Sequence, residues 1–211
     1  MKDKILQVVG SAYISHNFVT TDKKEFLIVD WTNYYKKVYK KGEIKLHEQL
    51  PVTDPEGKGM SGVHFSNENN VKITADLFGD NALKDGKKHS SQCETIMYPD
   101  SYKEDYWILL IETKYCEKLQ TAINLYYKEP YPNKMISQII DTASYFRNKG
   151  VINKNKLIHG LGSFPNLLEN IFGGFLRTNL SDDMLKMKKE NNILFNFANR
   201  VKVNSEVDII I

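Results

Sequence analysis

The chain has 211 residues, of which 41% are hydrophobic, so it can bury one sizeable core and we expect a single domain. Its formal net charge of +3 permits nucleic-acid binding without requiring it. Cys93 and Cys116 are too few for a disulfide framework, and their spacing argues against a structural zinc site. No apolar run suits a signal peptide or a membrane span, so we expect a soluble cytoplasmic protein that does not contact a membrane.

Residues 1–70 mix short strand-like pieces, such as 25–29, with a basic tyrosine run at 34–41. We interpret this part as an N-terminal decoration that precedes the main sheet. Lysines interleaved with tyrosines can contact phosphates and stack on bases, whereas a solvated basic face is the commoner meaning of such a run. The candidate nucleic-acid contacts are Lys36, Lys37, Lys40 and Lys41.

From residue 71 onward the sequence patterns predict strands and loops more clearly. Residues 71–78 alternate as a strand does, and the polar stretch 79–91 is typical of a loop. Residues 93–98 indicate a second strand, which turns at Pro99-Asp100 into the apolar run that begins at Trp107. The two strands are predicted to form a hairpin with its turn centred near Lys103.

The pattern beyond residue 114 becomes helical. An apolar stripe at helical period is followed by Gly150, and residues 156–161 then indicate another buried strand. The stripe consists of Met135, Ile136, Ile139, Ile140, Ala143 and Phe146. This order of two strands, a helix and a third strand implies that the helix crosses over the sheet and returns the chain as a parallel strand. The order therefore favours a layered α/β domain. Residues 166–211 are expected to add further helices and a last strand.

The acid and the amine at the end of the Trp107 run form the first candidate site. Residues 107–111 are all apolar, which is typical of a strand buried on both faces, so Glu112 and Lys114 should point to the same side of the sheet. Similar acid-x-lysine triplets begin at Glu43, Glu56 and Asp85, so the triplet by itself is a weak signal. Its position beside a core gives it weight, because burying charged groups without a use for them is costly.

A second carboxylate should meet this pair across the hairpin. A turn near Lys103 places Glu94 opposite Glu112, and two buried carboxylates repel unless a cation lies between them. Oxygen ligands of this kind suit Mg²⁺ or Mn²⁺, with the carbonyl of Thr113 as a possible further ligand. Asp76, at the end of the preceding strand, could contribute through water or could simply face solvent. Such a metal activates a phosphoryl oxygen and a water, while Lys114 orients that water or stabilises developing charge.

These residues resemble the PD-(D/E)XK nuclease superfamily over residues 71–165. The matching elements are Cys93-Glu94, the strand ending in Glu112-Thr113-Lys114, and a helix with a Gln-x-x-x-Thr pattern at Gln138 and Thr142. The resemblance implies a restriction-endonuclease-like three-layer core, in which helices flank a mixed central sheet. It also implies a Mg²⁺-dependent endonuclease acting on DNA in restriction, phage defence or repair. One departure is that Glu94 stands where the family usually has Asp.

The resemblance assigns roles to four residues. It implies that Glu94 and Glu112 are metal ligands, that Lys114 is the catalytic lysine, and that Gln138 is a catalytic-site residue on the helix. The textual signature beginning at Pro99-Asp100 is a poorer choice, because Asp100 in the hairpin turn would lie on the order of 20 Å from Glu112.

Two other functions remain open from the sequence. One is a non-catalytic nucleic-acid- or protein-binding module on the same fold, and the other is a structural domain in which the cluster is only an ion-pair network. A homodimer is also expected for the nuclease, since cutting both strands of DNA needs two sites.

Overall fold

The computed structural model describes residues 1–29, 51–52, 62–85, 88–116, 118–123 and 130–211. The helices are α1 (Lys2–Val9), α2 (Leu119–Ala122), α3 (Tyr131–Asn148), α4 (Glu169–Asn179) and α5 (Ser181–Asn191), with a 3-10 helix at Gly10–Ser15. The first strands are β1 (His16–Thr21), β2 (Glu25–Ile28), β3 (Pro51–Val52), β4 (Val63–Ser66), β5 (Ile73–Phe78), β6 (Lys84–Asp85) and β7 (Lys88–His89). The remaining strands are β8 (Thr95–Pro99), β9 (Leu109–Thr113), β10 (Ile158–Ser163), β11 (Ile193–Phe197), β12 (Arg200–Val203) and β13 (Ile209–Ile210). The basic tyrosine run, with Lys36, Lys37, Lys40 and Lys41, lies outside the described residues.

The main sheet is mixed and has six strands in the order β1-β5-β8-β9-β10-β11. The neighbours from β1 to β9 are antiparallel, whereas β10 is parallel to both β9 and β11. Met97 pairs with Leu109, so the β8–β9 hairpin is centred on Lys103. The predicted hairpin and the parallel return through α3 are both confirmed.

The main sheet is covered on both faces. Leu110 of β9, with Ile108 just before this strand, joins the core that contains α1, α3, α4 and α5, whereas Leu109 and Ile111 join the core on the other face. That second core is closed by a five-stranded sheet in the order β13-β12-β4-β2-β3. The mixed sheet flanked by helices agrees with the sequence prediction, and the second sheet is an addition to it. Burial on both faces explains why residues 107–111 are continuously apolar.

The ends of the chain take part in this architecture. Ile5 and Val9 of α1 are buried in the helix-facing core, and β1 pairs with β5 as a strand of the main sheet. Residues 1–21 therefore contribute to the main sheet and its helical layer, where the sequence pattern indicated a decoration before the sheet. The physical reason is that β1 is polar and half-buried at the sheet's edge, so it lacks a buried strand's apolar signature.

The described part of the chain contains no helix that is both long enough and apolar enough to cross a membrane.

Candidate functional site

Glu112 lies near the end of β9 and is fully buried. Its neighbour across the parallel β9–β10 pair is Gly162. A Cβ on Gly162 would lie 2.6 Å from Cε1 of Phe197, so the ring of Phe197 occupies the space over this glycine. The ring of Phe197 therefore covers the strand position next to Glu112, and the full burial of Glu112 increases the need of its carboxylate for a cationic partner.

Lys114 brings a cation to two carboxylates. Its Nζ contacts Oε1 of Glu112 directly and lies 4.0 Å from Oε1 of Glu94. The side chain of Glu112 is 0% exposed, whereas those of Glu94 and Lys114 are 18% and 16% exposed. The cluster thus lies at the border between core and solvent, where a small ion or a substrate group can reach it.

Glu94 reaches this cluster because of where it lies in the hairpin. It immediately precedes β8, and the last pair of the β8–β9 register joins Thr95 to Ile111. The backbone N–H of Glu94 donates to the carbonyl of Ile111 (3.0 Å), and its carbonyl accepts from the N–H of Phe78 (2.9 Å). Glu94 and Glu112 are therefore at the same end of the hairpin, as the predicted register requires.

Gln138 and Thr142 of α3 contact the backbone that leads into Glu94. Gln138 donates through Nε2 to the carbonyl of Gln92 (2.7 Å). The hydroxyl of Thr142 accepts from the N–H of Cys93 (2.8 Å) and donates to the carbonyl of Gln138 (2.8 Å). The amide group of Gln138 thus holds a main-chain group, which is a positioning contact. The sequence analysis gave Thr142 no role, although its i, i+4 spacing from Gln138 puts both side chains on one helix face.

Cys93 sits between these two elements as a buried thiol. Burial raises the pKa of Cys93 to about 12. The thiol therefore stays protonated at neutral pH and does not act as a nucleophile.

Thr113 is buried, and strand alternation directs its side chain to the face opposite Glu112. Its hydroxyl has no hydrogen-bond partner among the described residues. The proposed contribution of Thr113 is through its main-chain carbonyl, which belongs to the same segment as Glu112 and Lys114.

Asp76 lies in a different environment from the one expected. It is fully buried, and two further residues of β5 follow it, so it is neither at a strand end nor facing solvent. Its Oδ2 lies 2.7 Å from Nδ1 of His16. Burial raises the pKa of Asp76, and the hydrogen bond from His16 partly opposes that rise. The structure therefore pairs Asp76 with His16, and a contribution of Asp76 to the metal through water stays a prediction.

Asp100 has a structural role in the hairpin turn. It accepts a hydrogen bond from the hydroxyl of Thr74 (2.6 Å) and forms an ion pair with Lys72 (3.1 Å). The hydrogen bond from Thr74 lowers the pKa of Asp100. The carboxylate of Asp100 is thus engaged at the other end of the hairpin from Glu94 and Glu112.

The donor set of the cluster fits a hard divalent cation. Among the described residues, no group of three or more His, Cys, Asp or Glu side chains is arranged to hold a metal. Two carboxylates nevertheless converge on one cationic nitrogen. Mg²⁺ is commonly held by one or two carboxylates, with waters and substrate phosphate oxygens completing its coordination. Glu94 and Glu112 are the side chains that would hold Mg²⁺ or Mn²⁺ here.

No family model, curated protein or solved structure matches this chain. The similarity to PD-(D/E)XK nucleases therefore rests on the residues of the hairpin and of α3 quoted above.

Proposed function

We propose that this chain is a metal-dependent nuclease that hydrolyses phosphodiester bonds of DNA. The observation that carries the proposal is the cluster of Glu94, Glu112 and Lys114, in which two carboxylates share one ammonium group at the border of the core. Supporting it, the cluster stands at the end of a buried hairpin whose second strand returns through α3 to a parallel neighbour. This arrangement of elements agrees with a restriction-endonuclease-like fold.

The chemistry follows from the three side chains. Glu94 and Glu112 bind Mg²⁺ or Mn²⁺, which when bound polarises a phosphoryl oxygen and lowers the pKa of a water. Lys114 holds its ammonium beside both carboxylates, where it orients the attacking water or stabilises the negative charge that develops on the phosphate. Glu112 is fully buried, so the charges interact more strongly than they would in bulk solvent.

The partner is DNA, which the chain cuts internally as a homodimer, because cleavage of both strands needs two sites. Restriction, phage defence and repair are the processes in which such an activity would serve. The basic tyrosine run supplies candidate phosphate contacts at Lys36, Lys37, Lys40 and Lys41.

A second candidate, beside the non-catalytic nucleic-acid- or protein-binding module on the same fold, is a structural domain in which the cluster is only an ion-pair network. The observation that favours it is the direct contact of Lys114 with Glu112, since an ion pair of this kind neutralises a buried carboxylate without any metal.

The experiment that separates these functions is a cleavage assay. Linear DNA, supercoiled DNA and RNA are incubated with the protein and Mg²⁺ or Mn²⁺, alongside Glu112→Gln and Lys114→Ala. Glu190→Gln, which changes an exposed carboxylate on α5, is the control. We expect metal-dependent cleavage of DNA that falls by about 100-fold or more in the two site variants and is retained in the control. Cleavage that persists in both site variants would refute the assignment of the site.

A further inference from the structure

Residues 92–94, which carry Glu94, precede strand β8 and are bonded largely by other elements. β8 begins at Thr95, so residues 92–94 precede the paired part of the strand. The β9 and β5 strands bond the main chain of this segment at Glu94, through the N–H and carbonyl bonds described above. The side chain of Gln92 also accepts from the N–H of Leu83 (3.0 Å) and donates to the carbonyl of Gly79 (2.9 Å). The carbonyl of Gln92 and the N–H of Cys93 are instead bound by Gln138 and Thr142 of α3.

Thr142 occupies a special place in this arrangement. It is fully buried, and its hydroxyl both accepts from Cys93 and donates to the carbonyl of Gln138. The hydroxyl oxygen of Thr142 therefore bonds both to Gln138 of its own helix and to Cys93 in the segment 92–94. If the hydroxyl were removed, the buried N–H of Cys93 would lose its partner, and the backbone would have to shift to satisfy it.

We propose that Thr142 is a positioning residue that, together with Gln138, directs the carboxylate of Glu94 toward Glu112. Gln138 and Thr142 act as a clamp that fixes the carbonyl of Gln92 and the N–H of Cys93, just before Glu94 in the chain. The clamp thereby sets the orientation of the Glu94 side chain. Metal ligands depend on such supporting hydrogen bonds, because a displaced ligand binds its ion more weakly. This inference rests on the proposed function, since it assumes that Glu94 is a metal ligand.

The test compares Thr142→Val, which keeps the shape of threonine without its hydroxyl, with Thr142→Ser, which keeps the hydroxyl. Mn²⁺ binding is measured by titration calorimetry on the full chain, after circular dichroism has established that each variant is folded. We expect the Val variant to bind Mn²⁺ about tenfold or more weakly, and the Ser variant to retain the wild-type affinity within about twofold.

A second readout follows the clamp itself. Cys93 is fully buried and donates its N–H to Thr142, so the rate at which a thiol reagent modifies it reports opening of this segment. Mass spectrometry separates Cys93 from Cys116, which is also buried and serves as the internal control. We expect faster modification of Cys93 in Thr142→Val, with Cys116 unchanged.

The outcomes distinguish this inference from the proposed function. A wild-type protein that binds no Mn²⁺ would overturn both. Normal Mn²⁺ affinity in a folded Thr142→Val variant with faster Cys93 modification would overturn only the positioning role. If Thr142→Val does not fold, Gln138→Leu replaces it, because Gln138 is only half-buried, and unchanged Mn²⁺ affinity in that variant would overturn the inference.

Discussion

Lys114 occupies the position at which a bound cation is expected. Its ammonium lies against Glu112 and within 4.0 Å of Glu94, so it partly neutralises the two carboxylates that would otherwise attract a metal. A divalent ion and the ammonium therefore compete for the same negative charge, and like charges at short range repel. Lys114 has two opposing effects in this view, since it weakens metal binding and supports the reaction.

Replacement of Lys114 separates these two effects. We expect Lys114→Met to bind Mn²⁺ about tenfold more tightly, equivalent to about 1.4 kcal/mol, while losing DNA cleavage. Electron paramagnetic resonance of free Mn²⁺ measures the affinity. Lys134→Met, which changes an exposed lysine on α3, should leave both properties unaltered. Equal or weaker Mn²⁺ binding by Lys114→Met would show that the lysine does not compete with the metal.

Asp76 and His16 form a separate buried pair. His16 directs Nδ1 to Asp76 (2.7 Å) and Nε2 to the carbonyl of Ala82 (3.2 Å). Because a carbonyl oxygen only accepts, Nε2 carries a hydrogen, and Nδ1 is then the ring nitrogen that accepts from the carboxyl group of Asp76 when that group holds its proton. Burial raises the pKa of Asp76 in the folded state. The folded protein therefore holds this proton more tightly than the unfolded chain does.

This difference gives the stability of the fold a pH dependence. A raised carboxyl pKa contributes stability at low pH, and the contribution is lost as pH rises from about 3.9 through the folded pKa. Asn resembles the protonated carboxyl because it can donate to His16. We expect the stability of the wild type relative to Asp76→Asn to fall as pH rises above about 4, by about 1.4 kcal/mol for each unit of pKa shift. Urea denaturation across this range measures the difference.

The control for this prediction is Glu68→Gln, which changes an exposed carboxylate. Its stability difference from the wild type should vary little with pH. A difference between wild type and Asp76→Asn that stays constant with pH would mean that Asp76 does not retain the extra proton.

At the scale of elements, the close packing of β10 against β11 depends on a glycine. Gly162 pairs with Phe197 of β11 and with Glu112 of β9. An added Cβ would lie 2.6 Å from Phe197, whose ring also packs against Phe195 at 4.8 Å between centroids. The ring has aromatic neighbours and little room to move, so a larger residue at 162 would force β10 and β11 apart.

We therefore expect Gly162→Ala to destabilise the fold by about 1–3 kcal/mol, which is the usual cost of overpacking. The matched control is Gly174→Ala in α4, where nothing lies within 4 Å of the added Cβ. Since glycine is a poor helix former, this control should gain up to about 1 kcal/mol. Thermal and urea denaturation of both variants provide the comparison. Equal stability of Gly162→Ala and the wild type would contradict the tight contact.

The hairpin shows what the sequence can predict at this scale. The apolar run of β9 and the turn at Pro99-Asp100 were enough to predict the register that places Glu94 and Glu112 at one end. The role of Thr142 could not be predicted in this way. It depends on how α3 docks on the sheet, which brings together residues that are 46 and 49 positions apart in the chain.

At the scale of the whole molecule, the second sheet is the part of the fold that the sequence did not reveal. Its strands β2 and β4 come from the N-terminal part, and β12 and β13 come from the C-terminal part. The parallel pairing of β4 with β12 joins Phe65 to Val201, a contact between residues that are far apart in the chain. A local hydrophobic pattern indicates which residues of a strand are buried and how its side chains alternate. It does not indicate which distant strand pairs with it. The continuous apolar run at residues 107–111 indicated that both faces of this strand were covered, but it did not indicate which elements cover them.

Metal binding at the cluster should stabilise the whole fold. A ligand that binds only the folded state adds about 2.7 kcal/mol at a concentration 100 times its dissociation constant. We expect Mg²⁺ and Mn²⁺ to raise the Tm of the wild type and to leave that of Glu112→Gln unchanged, as measured by differential scanning calorimetry. Equal metal-induced shifts in the two proteins would place the bound ion elsewhere.

The measurement that tests the metal centre most directly is an anomalous difference map from crystals of the chain soaked in Mn²⁺. The proposed site predicts a single strong peak within about 2.3 Å of a carboxylate oxygen of both Glu94 and Glu112, with the ammonium of Lys114 moved away from Glu112. A peak bound elsewhere, or no peak with the Lys114–Glu112 contact intact, would contradict the assignment of these residues to a metal-dependent nuclease.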